Sequence, residues 1–403
     1  MRLLLALAVY GSYLQGLGGV APPFLAAELG LDDTRITAIA GWVALGGFGT
    51  AALTRLADRR GRRGLLVLCF ALLPVLSLGS ALAPDVVSYT ITQIGVSALL
   101  GALFTGVVVA MIERSSEAWR AAGQAWFGFA SAAGGGLAIG LAAITEQLPW
   151  GWRGLWLVAV LPILLLGSLR KTLSETDRFT RARDRGHVAA SRTRDLFGGG
   201  WRRRSTALLV VAALRPIALI ATSAWPYYHM VKSLALSPAI ASLVFFAGGG
   251  IGQLGNPAGA WLANRWGRRP TTAAGSAVAV ASGIAFFWVP LGPRAIPSLI
   301  ALMAVNQGAT AAFSVADRLL AMELFPTPLR ATFSGVANLV VAGASLVANF
   351  GLSLLVVPLG GLVQSITWVS LVTFVPATLV FLAAVPETNG LSLEQAALEE
   401  DPL

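Results

Sequence analysis

Apolar runs of about twenty residues, separated by short segments carrying charges, glycines or prolines, recur twelve times along the chain. A helix rising about 1.5 Å per residue needs about 20 apolar residues to cross the hydrocarbon core of a bilayer, so each run reads as one span. The runs begin near Leu3, Ile36, Leu65, Tyr89, Ala121 and Gly154, and then near Thr206, Ala239, Thr271, Pro297, Thr332 and Ile366. The first run is longer than the apolar region of a signal peptide, contains Pro22 and Pro23 and has no clear cleavage site, so it is kept as a span. The pattern predicts an all-α membrane protein with twelve transmembrane helices in two six-helix bundles. The expected divisions are an N-terminal bundle over 1–169, a basic loop over 170–205, a C-terminal bundle over 206–385 and a tail over 386–403.

Composition supports the bilayer as solvent. The 403 residues are 56% hydrophobic and 12% charged, with a mean hydropathy of +0.73, whereas globular domains average about 25% charged residues. The net charge of +10 does not imply nucleic acid, because the 29 basic residues cluster between the apolar runs. If the N-terminus is cytoplasmic, that side receives Arg2, the Arg55–Arg63 cluster, Arg114, Arg120, the central loop, Arg265, Arg268, Arg269 and Arg330. The other side receives only Arg35, Arg153, Lys232 and Arg294. This bias places both termini in the cytoplasm and predicts a multi-pass protein of the plasma (inner) membrane. The preference for Arg over Lys, with abundant Ala and Gly, suggests a GC-rich bacterial genome. The central loop reads as an ordinary basic connector or as a face resting on anionic headgroups. Cys69 is the single cysteine, and neither a metal-ligand spacing, a nucleophile–base pair nor a phosphate loop is present. Enzymatic activity, a metal site and a cofactor are therefore not expected.

The two halves repeat the same punctuation. LADRRGRR (Leu56–Arg63) returns as LANRWGRR (Leu262–Arg269), 206 residues later. Glu113 precedes Arg120 by seven residues, as Glu323 precedes Arg330, at an offset of 210. Ser174–Thr176 (SET) returns as Pro386–Thr388 (PET) at an offset of 212. Parallel repeats of this kind build transporters whose substrate site lies near mid-membrane. With these motifs the chain resembles the major facilitator superfamily along nearly its full length. It departs from that pattern at Thr54, where glycine is expected, and at Asn264, where the second loop lacks the acid. ELFPTPLRAT (Glu323–Thr332) and PETNGLSLE (Pro386–Glu394) look like the branch holding sugar porters, organic-ion transporters and metabolite–proton symporters.

Asp58 ends span 2, where an acid can pair with an arginine or accept from the exposed N–H groups of a neighbouring helix. The resemblance implies a latch across the cytoplasmic ends of the halves, built from Asp58, Arg62, Glu113, Arg120, Glu175, Arg268, Glu323, Arg330 and Glu387. The alternative is a set of topology signals and surface pairs worth about 0–1 kcal/mol each. The triple glycines of spans 5 and 8 are expected at contacts between the halves.

The resemblance also implies that spans 1, 4, 7 and 10 line the cavity. An ionisable group inside a span is a functional candidate, since burying it in lipid costs about 2.5–3.5 kcal/mol on insertion scales. Arg215, followed by Pro216, suits a carboxylate or another planar anion; alternatively it pairs structurally with Asp317 on the same half. Asp317 is the candidate proton carrier, although its neighbour Arg318 favours the charged form. Span 1 carries no acid from Val9 to Gln15, so both proton coupling and uniport stay open. Further substrate-contact candidates are Tyr10, Tyr13, Gln15, Gln93, Trp225, Tyr227, Tyr228, Asn306, Gln307 and Ser314. Thr105, Gln253, Asn256 and Asn338 also belong to the set, and each is alternatively interhelical glue. His229 reads as a solvated loop-edge residue. Tyr227–Tyr228 resembles the aromatic pair of sugar porters, but Ala218, Leu219 and Ser223 stand near the positions of that family's amides, which argues against a sugar.

The function expected is a secondary active or facilitative transporter moving a small organic anion or zwitterion by alternating access. The alternatives are a multidrug or natural-product exporter and, from another class, a non-transporting receptor or sensor. The partners expected are a small-molecule substrate and the lipid bilayer, without nucleic acid, and the protein is expected to be a monomer.

Overall fold

The computed structural model describes residues 2–114, 120–173, 193–198, 201–325 and 327–391. Among the described residues all regular structure is helical. Among the described residues, twelve helices or runs of helical segments have the scale of a span: α1 (Arg2–Val20), α2 (Asp33–Ala57), α3 (Arg62–Leu82), α4 (Val86–Arg114), α5 (Arg120–Ala142), α6 (Arg153–Thr172), α7 (Trp201–Ser233), α8 (Pro238–Arg265), α9 (Arg268–Phe287), α10 (Ala295–Glu323), α11 (Thr327–Leu355) and α12 (Leu362–Ala384). Eleven contain a stretch long and apolar enough to cross a membrane. The described apolar stretch of α5, Trp126–Ala142, is shorter, but the whole helix has 23 residues, or about 35 Å.

Several spans are interrupted, and the residues explain where. Pro162 lacks an N–H, and α6 passes through a 3₁₀ turn over Leu161–Leu165 before resuming at Leu166. Pro226 restarts α7 after Ser223, and a π-helical turn follows over His229–Ser233. On either side of the central connector, α6 continues through Thr172 and α7 begins at Trp201. The end of the connector, a 3₁₀ turn over Thr193–Phe197, drives Leu196 fully into a core with Leu320, Leu324, Phe325, Phe333 and Phe381. Phe325 and Phe333 stack there with centroids 4.4 Å apart.

The chain folds into two compact units, Met1–Ala189 with Val231–Ser242, and Ala190–Met230 with Leu243–Leu403. The same neighbours recur in each. In the first, α1 packs on α5, and α4 packs on both α2 and α3; in the second, α7 packs on α11, and α10 packs on both α8 and α9. The backbone repeats as well. Between α2 and α3, Gly61 adopts φ 103°, ψ 154°; between α8 and α9, Gly267 adopts φ 105°, ψ 162°. A Cβ clashes with the backbone in this region, so both loop motifs need glycine at this place.

One glycine of each triple run packs inside its own unit. A Cβ on Gly134 of α5 would collide with the Val9 carbonyl of α1, and one on Gly248 of α8 would lie 2.6 Å from the Met303 side chain of α10. Each therefore closes a helix pair inside its own unit, where a missing side chain lets two backbones approach.

Candidate substrate and gate sites

The second unit carries a charged pair within its spans. Near the middle of α7, Arg215 donates from Nη2 to Asp317 Oδ1 of α10 at 2.7 Å. The arginine side chain is 13% exposed and the aspartate 37%. Phe313 of α10 and Phe381 of α12 flank the guanidinium, with ring centroids 5.6 and 5.8 Å from its carbon. The guanidinium presents a planar fork, which suits a second oxyanion as well as Asp317. Arg318 takes no part in this pair; it is exposed and donates from Nε to the Ser314 carbonyl of its own helix at 3.0 Å. The structural pairing open to Arg215 is thus the arrangement observed in this conformation.

Several other candidates have their polar atoms occupied by neighbouring helices. The Tyr10 and Tyr13 hydroxyls of α1 donate to the carbonyls of Ala159 (3.0 Å) and Leu155 (2.7 Å) on α6. Those carbonyls lie where α6 leaves regular geometry, so α1 supplies the donors that the broken helix lacks. The rings of both tyrosines line an apolar cavity of about 310 Å³ that also touches Phe70, Leu137 and Pro162. Gln93 of α4 donates to Ser80 Oγ of α3 at 2.8 Å, and Asn306 of α10 to the Ala279 carbonyl of α9 at 2.7 Å. Both amides act as the interhelical glue expected inside a bundle.

Trp225, Tyr227 and Tyr228 are fully buried rather than lining an open face, with Trp225 edge-on to Tyr228 and Tyr227 edge-on to Phe245, each at 5.8 Å. His229 is not a loop-edge residue. It is 3% exposed against Phe287, at 5.1 Å, because the π turn rotates it into the bundle. Gln307 and Ser314 are half-buried, and Gln15, Thr105, Gln253, Asn256 and Asn338 are exposed.

At the other end of the second unit, three candidate gate residues meet. Glu387 caps α9: Oε1 accepts from the backbone N–H of Arg268 (2.9 Å), Thr388 (3.0 Å) and Asn389 (2.9 Å), and Oε2 from that of Arg269 (3.0 Å). A carboxylate there satisfies orphan donors and complements the positive end of the helix. Arg268 Nε lies 3.4 Å from Glu323 Oε1, and the Thr388 hydroxyl donates to Glu323 Oε2. Asn389 accepts from Arg268 Nη1 and donates to the Asn264 carbonyl at 3.3 Å. The loop motif, the end of α10 and the segment after α12 are thereby tied within one unit. Thr388 and Asn389 escaped the sequence reading, although both stand in the PETNG stretch beside Glu387.

The first half repeats one thread of this network. Arg63 donates to the Arg170 carbonyl at 2.8 Å, as Arg269 does to that of Leu382. Arg62 is half-buried. The side chains of Asp58, Glu113, Arg120 and Arg330, and the whole of Glu175, lie outside the described residues.

A clamp that the sequence did not announce closes the opposite end of the first unit. Arg153, at the start of α6, donates to Glu28 at 2.9 Å and to the Ala81 and Ala83 carbonyls at 2.8 and 2.9 Å, where α3 ends. Trp152 Nε1 donates to the same carboxylate at 2.6 Å. Hydrogen bonding from Arg153, helped by Trp152 and by the arginine charge, holds the Glu28 carboxyl below its ordinary range against a desolvation cost.

A family model for the Major Facilitator Superfamily matches residues 3–349. The chain belongs to this superfamily. It is a membrane transporter of the major facilitator type, with the superfamily's two six-helix bundles. Solved structures with the same fold include a D-xylose–proton symporter, 19% identical over 96% of this chain and 98% of that one, with a TM-score of 0.71. The inward-open xylose transporter XylE from E. coli is 19% identical over 97% and 98%, with a TM-score of 0.72. A mutant of the nucleoside transporter NupG is 14% identical over 95% and 100%, with a TM-score of 0.73. At these identities the likeness carries the fold alone.

Proposed function

We propose that this major facilitator moves a small organic anion or zwitterionic metabolite across the membrane by alternating access. One observation carries the reading: the flanked, largely buried Arg215, whose side chain meets the carboxylate of Asp317 at 2.7 Å. A cation this deep in a span is costly and calls for an anionic partner. Asp317 holds that place in the conformation observed, and a substrate carboxylate competes for the same guanidinium during the cycle.

Charge balance then suggests the coupling. An anion entering beside the pair leaves one negative charge in excess unless Asp317 takes up a proton. Its greater exposure provides a route for water to the carboxyl. The proposed proton carrier is therefore Asp317, and Arg318, bonded to its own helix, is left out of the exchange. The lengthwise charge bias supports a plasma-membrane protein with the two loop motifs and both termini in the cytoplasm. The Arg268–Glu323–Glu387 network is proposed as the second half's share of the cytoplasmic gate, with Asp58, Arg62, Glu113, Arg120, Glu175 and Arg330 as its counterparts and continuation.

The structural relatives raise a second substrate class, since by their names they carry xylose or nucleosides. A polyhydroxylated substrate needs several side-chain donors and acceptors in place of water. Gln93 and Asn306 are committed to neighbouring helices, which disfavours that class. A thermal-shift screen of purified protein against carboxylates, amino acids, sugars and organic cations tests the choice. Stabilisation by a carboxylate or amino acid that disappears in Arg215→Gln supports the proposal. Stabilisation by sugars or cations that survives in that variant contradicts it.

A further inference from the structure

Three arginines converge on a cleft that the transport reading does not use. The cleft holds about 340 Å³ and lies where α7 begins and α12 ends, lined by Arg203 and Arg204 of α7, Arg269 of α9, and Leu382, Val385 and Pro386. No carboxylate is among its described lining residues. Arg269 is steadied from one side by its bond to the Leu382 carbonyl. The nearest acid in sequence, Glu387, already accepts from four backbone N–H groups. The cleft thus gathers three positive charges at the level where two spans meet the aqueous boundary.

The surface leading away from the cleft is apolar. Trp368, Val372, Val375, Leu379 and Leu382 of α12 are exposed and follow one another at spacings of four, three, four and three residues. That spacing places them on one face of the helix, a stripe running from the span's interior to the cleft. Leu382 belongs to both. A ligand that fits the two surfaces together has an anionic head that takes arginine forks and a hydrocarbon tail that lies against the stripe.

We propose that the cleft binds the phosphate headgroup of an anionic phospholipid, with an acyl chain lying along α12. Arginine forks match phosphodiester oxygens and are less costly to desolvate than ammonium groups. A free phosphate fits the cleft but leaves the stripe unused, and a zwitterionic lipid brings its own cation among the three arginines. Such a lipid bridges the start of α7, the start of α9 and the end of α12, and of these the Glu387 network already ties the start of α9 to the segment after α12.

The test uses the full-length purified protein in detergent, with phosphatidylglycerol, phosphatidylcholine of the same acyl chains, or inorganic phosphate added. Native mass spectrometry reads retained lipid, and thermal unfolding reads stabilisation. The variants are Arg203→Gln/Arg204→Gln, the single Arg203→Gln in case the double variant does not fold, and Arg202→Gln as a neighbouring control outside the cleft lining. Phosphatidylglycerol is expected to be retained and to stabilise the wild type and Arg202→Gln. Removing two interfacial arginines should weaken its retention about 30-fold, and removing Arg203 alone about 5-fold. The proposal is overturned if the lining variants retain phosphatidylglycerol as the control does. It is equally overturned if phosphatidylcholine or inorganic phosphate stabilises the wild type to the same extent.

Discussion

The Arg215–Asp317 pair makes an asymmetric prediction about stability. Breaking a buried ion pair costs about 3–5 kcal/mol when one charge is left stranded, whereas exposed pairs contribute about 0–1 kcal/mol. The two side chains stand at different points between those limits, with exposures of 13% for Arg215 and 37% for Asp317. Asp317→Asn strands the more buried charge. Phe313 and Phe381 soften the loss, each by about 0.5–1 kcal/mol of cation–π attraction, so the cost should be about 2–3 kcal/mol. Arg215→Gln strands a carboxylate that water reaches, and should cost about 1 kcal/mol. In Arg215→Gln/Asp317→Asn no charge is stranded, so the double variant should be no less stable than Asp317→Asn alone, with a coupling energy of about 1–2 kcal/mol. Reversible unfolding in mixed micelles, titrated with a denaturing detergent, gives all four corners of the cycle. The reasoning is refuted if Arg215→Gln costs more than Asp317→Asn, or if the two single costs simply add.

Other parts of the structure give simpler tests. Gly267→Ala should destabilise by about 1–3 kcal/mol from its φ of 105° alone, and by more in practice because its Cβ also meets the Glu387 carboxylate; unfolding curves of the variant and the wild type check this. Tyr13→Phe leaves the Leu155 carbonyl without its donor and should cost about 1–3 kcal/mol. Substrate affinity should be unchanged in that variant, and a selective loss of affinity would return Tyr13 to the binding site. Glu28 has a lowered carboxyl pKa in the folded state, so its pairing stabilises above the unfolded value of 4.5 and is lost as pH falls through the lower folded value. Melting temperature measured from pH 6 down to pH 3 should therefore decline less steeply in Glu28→Gln than in the wild type.

The spans were legible because a bilayer of fixed thickness imposes one length on every apolar run, whatever the local sequence. The repeat was legible because each loop motif needs the same punctuation, and Gly61 and Gly267 share one unusual backbone geometry. Recurrence also singled out Arg268, Glu323 and Glu387, which the structure brings together, although their part in transport is a proposal. What stayed hidden depends on partners far apart in the chain. The hydroxyls that complete α6 come from α1, across separations of 149 and 142 residues. Glu28 meets Arg153 across 125 residues. No local pattern distinguishes Tyr10 or Gln93 as glue from the same residues as ligands, because either role needs a polar group on an apolar helix. The burial of His229 follows from a π turn after Pro226, and nothing in HMVKS announces that extra residue per turn. Leu196 sits in an Arg-rich segment whose composition suggests solvent, while its side chain fills a core made by α10, α11 and α12.

Counterflow in proteoliposomes tests the central claim most directly. Vesicles holding wild-type protein and preloaded with the carboxylate or amino acid selected by thermal shift should accumulate its labelled form in a saturable manner. The Arg215→Gln vesicles, with equal amounts of folded protein, should not. Undiminished counterflow in Arg215→Gln, or counterflow in the wild type only with neutral or cationic solutes, contradicts the account.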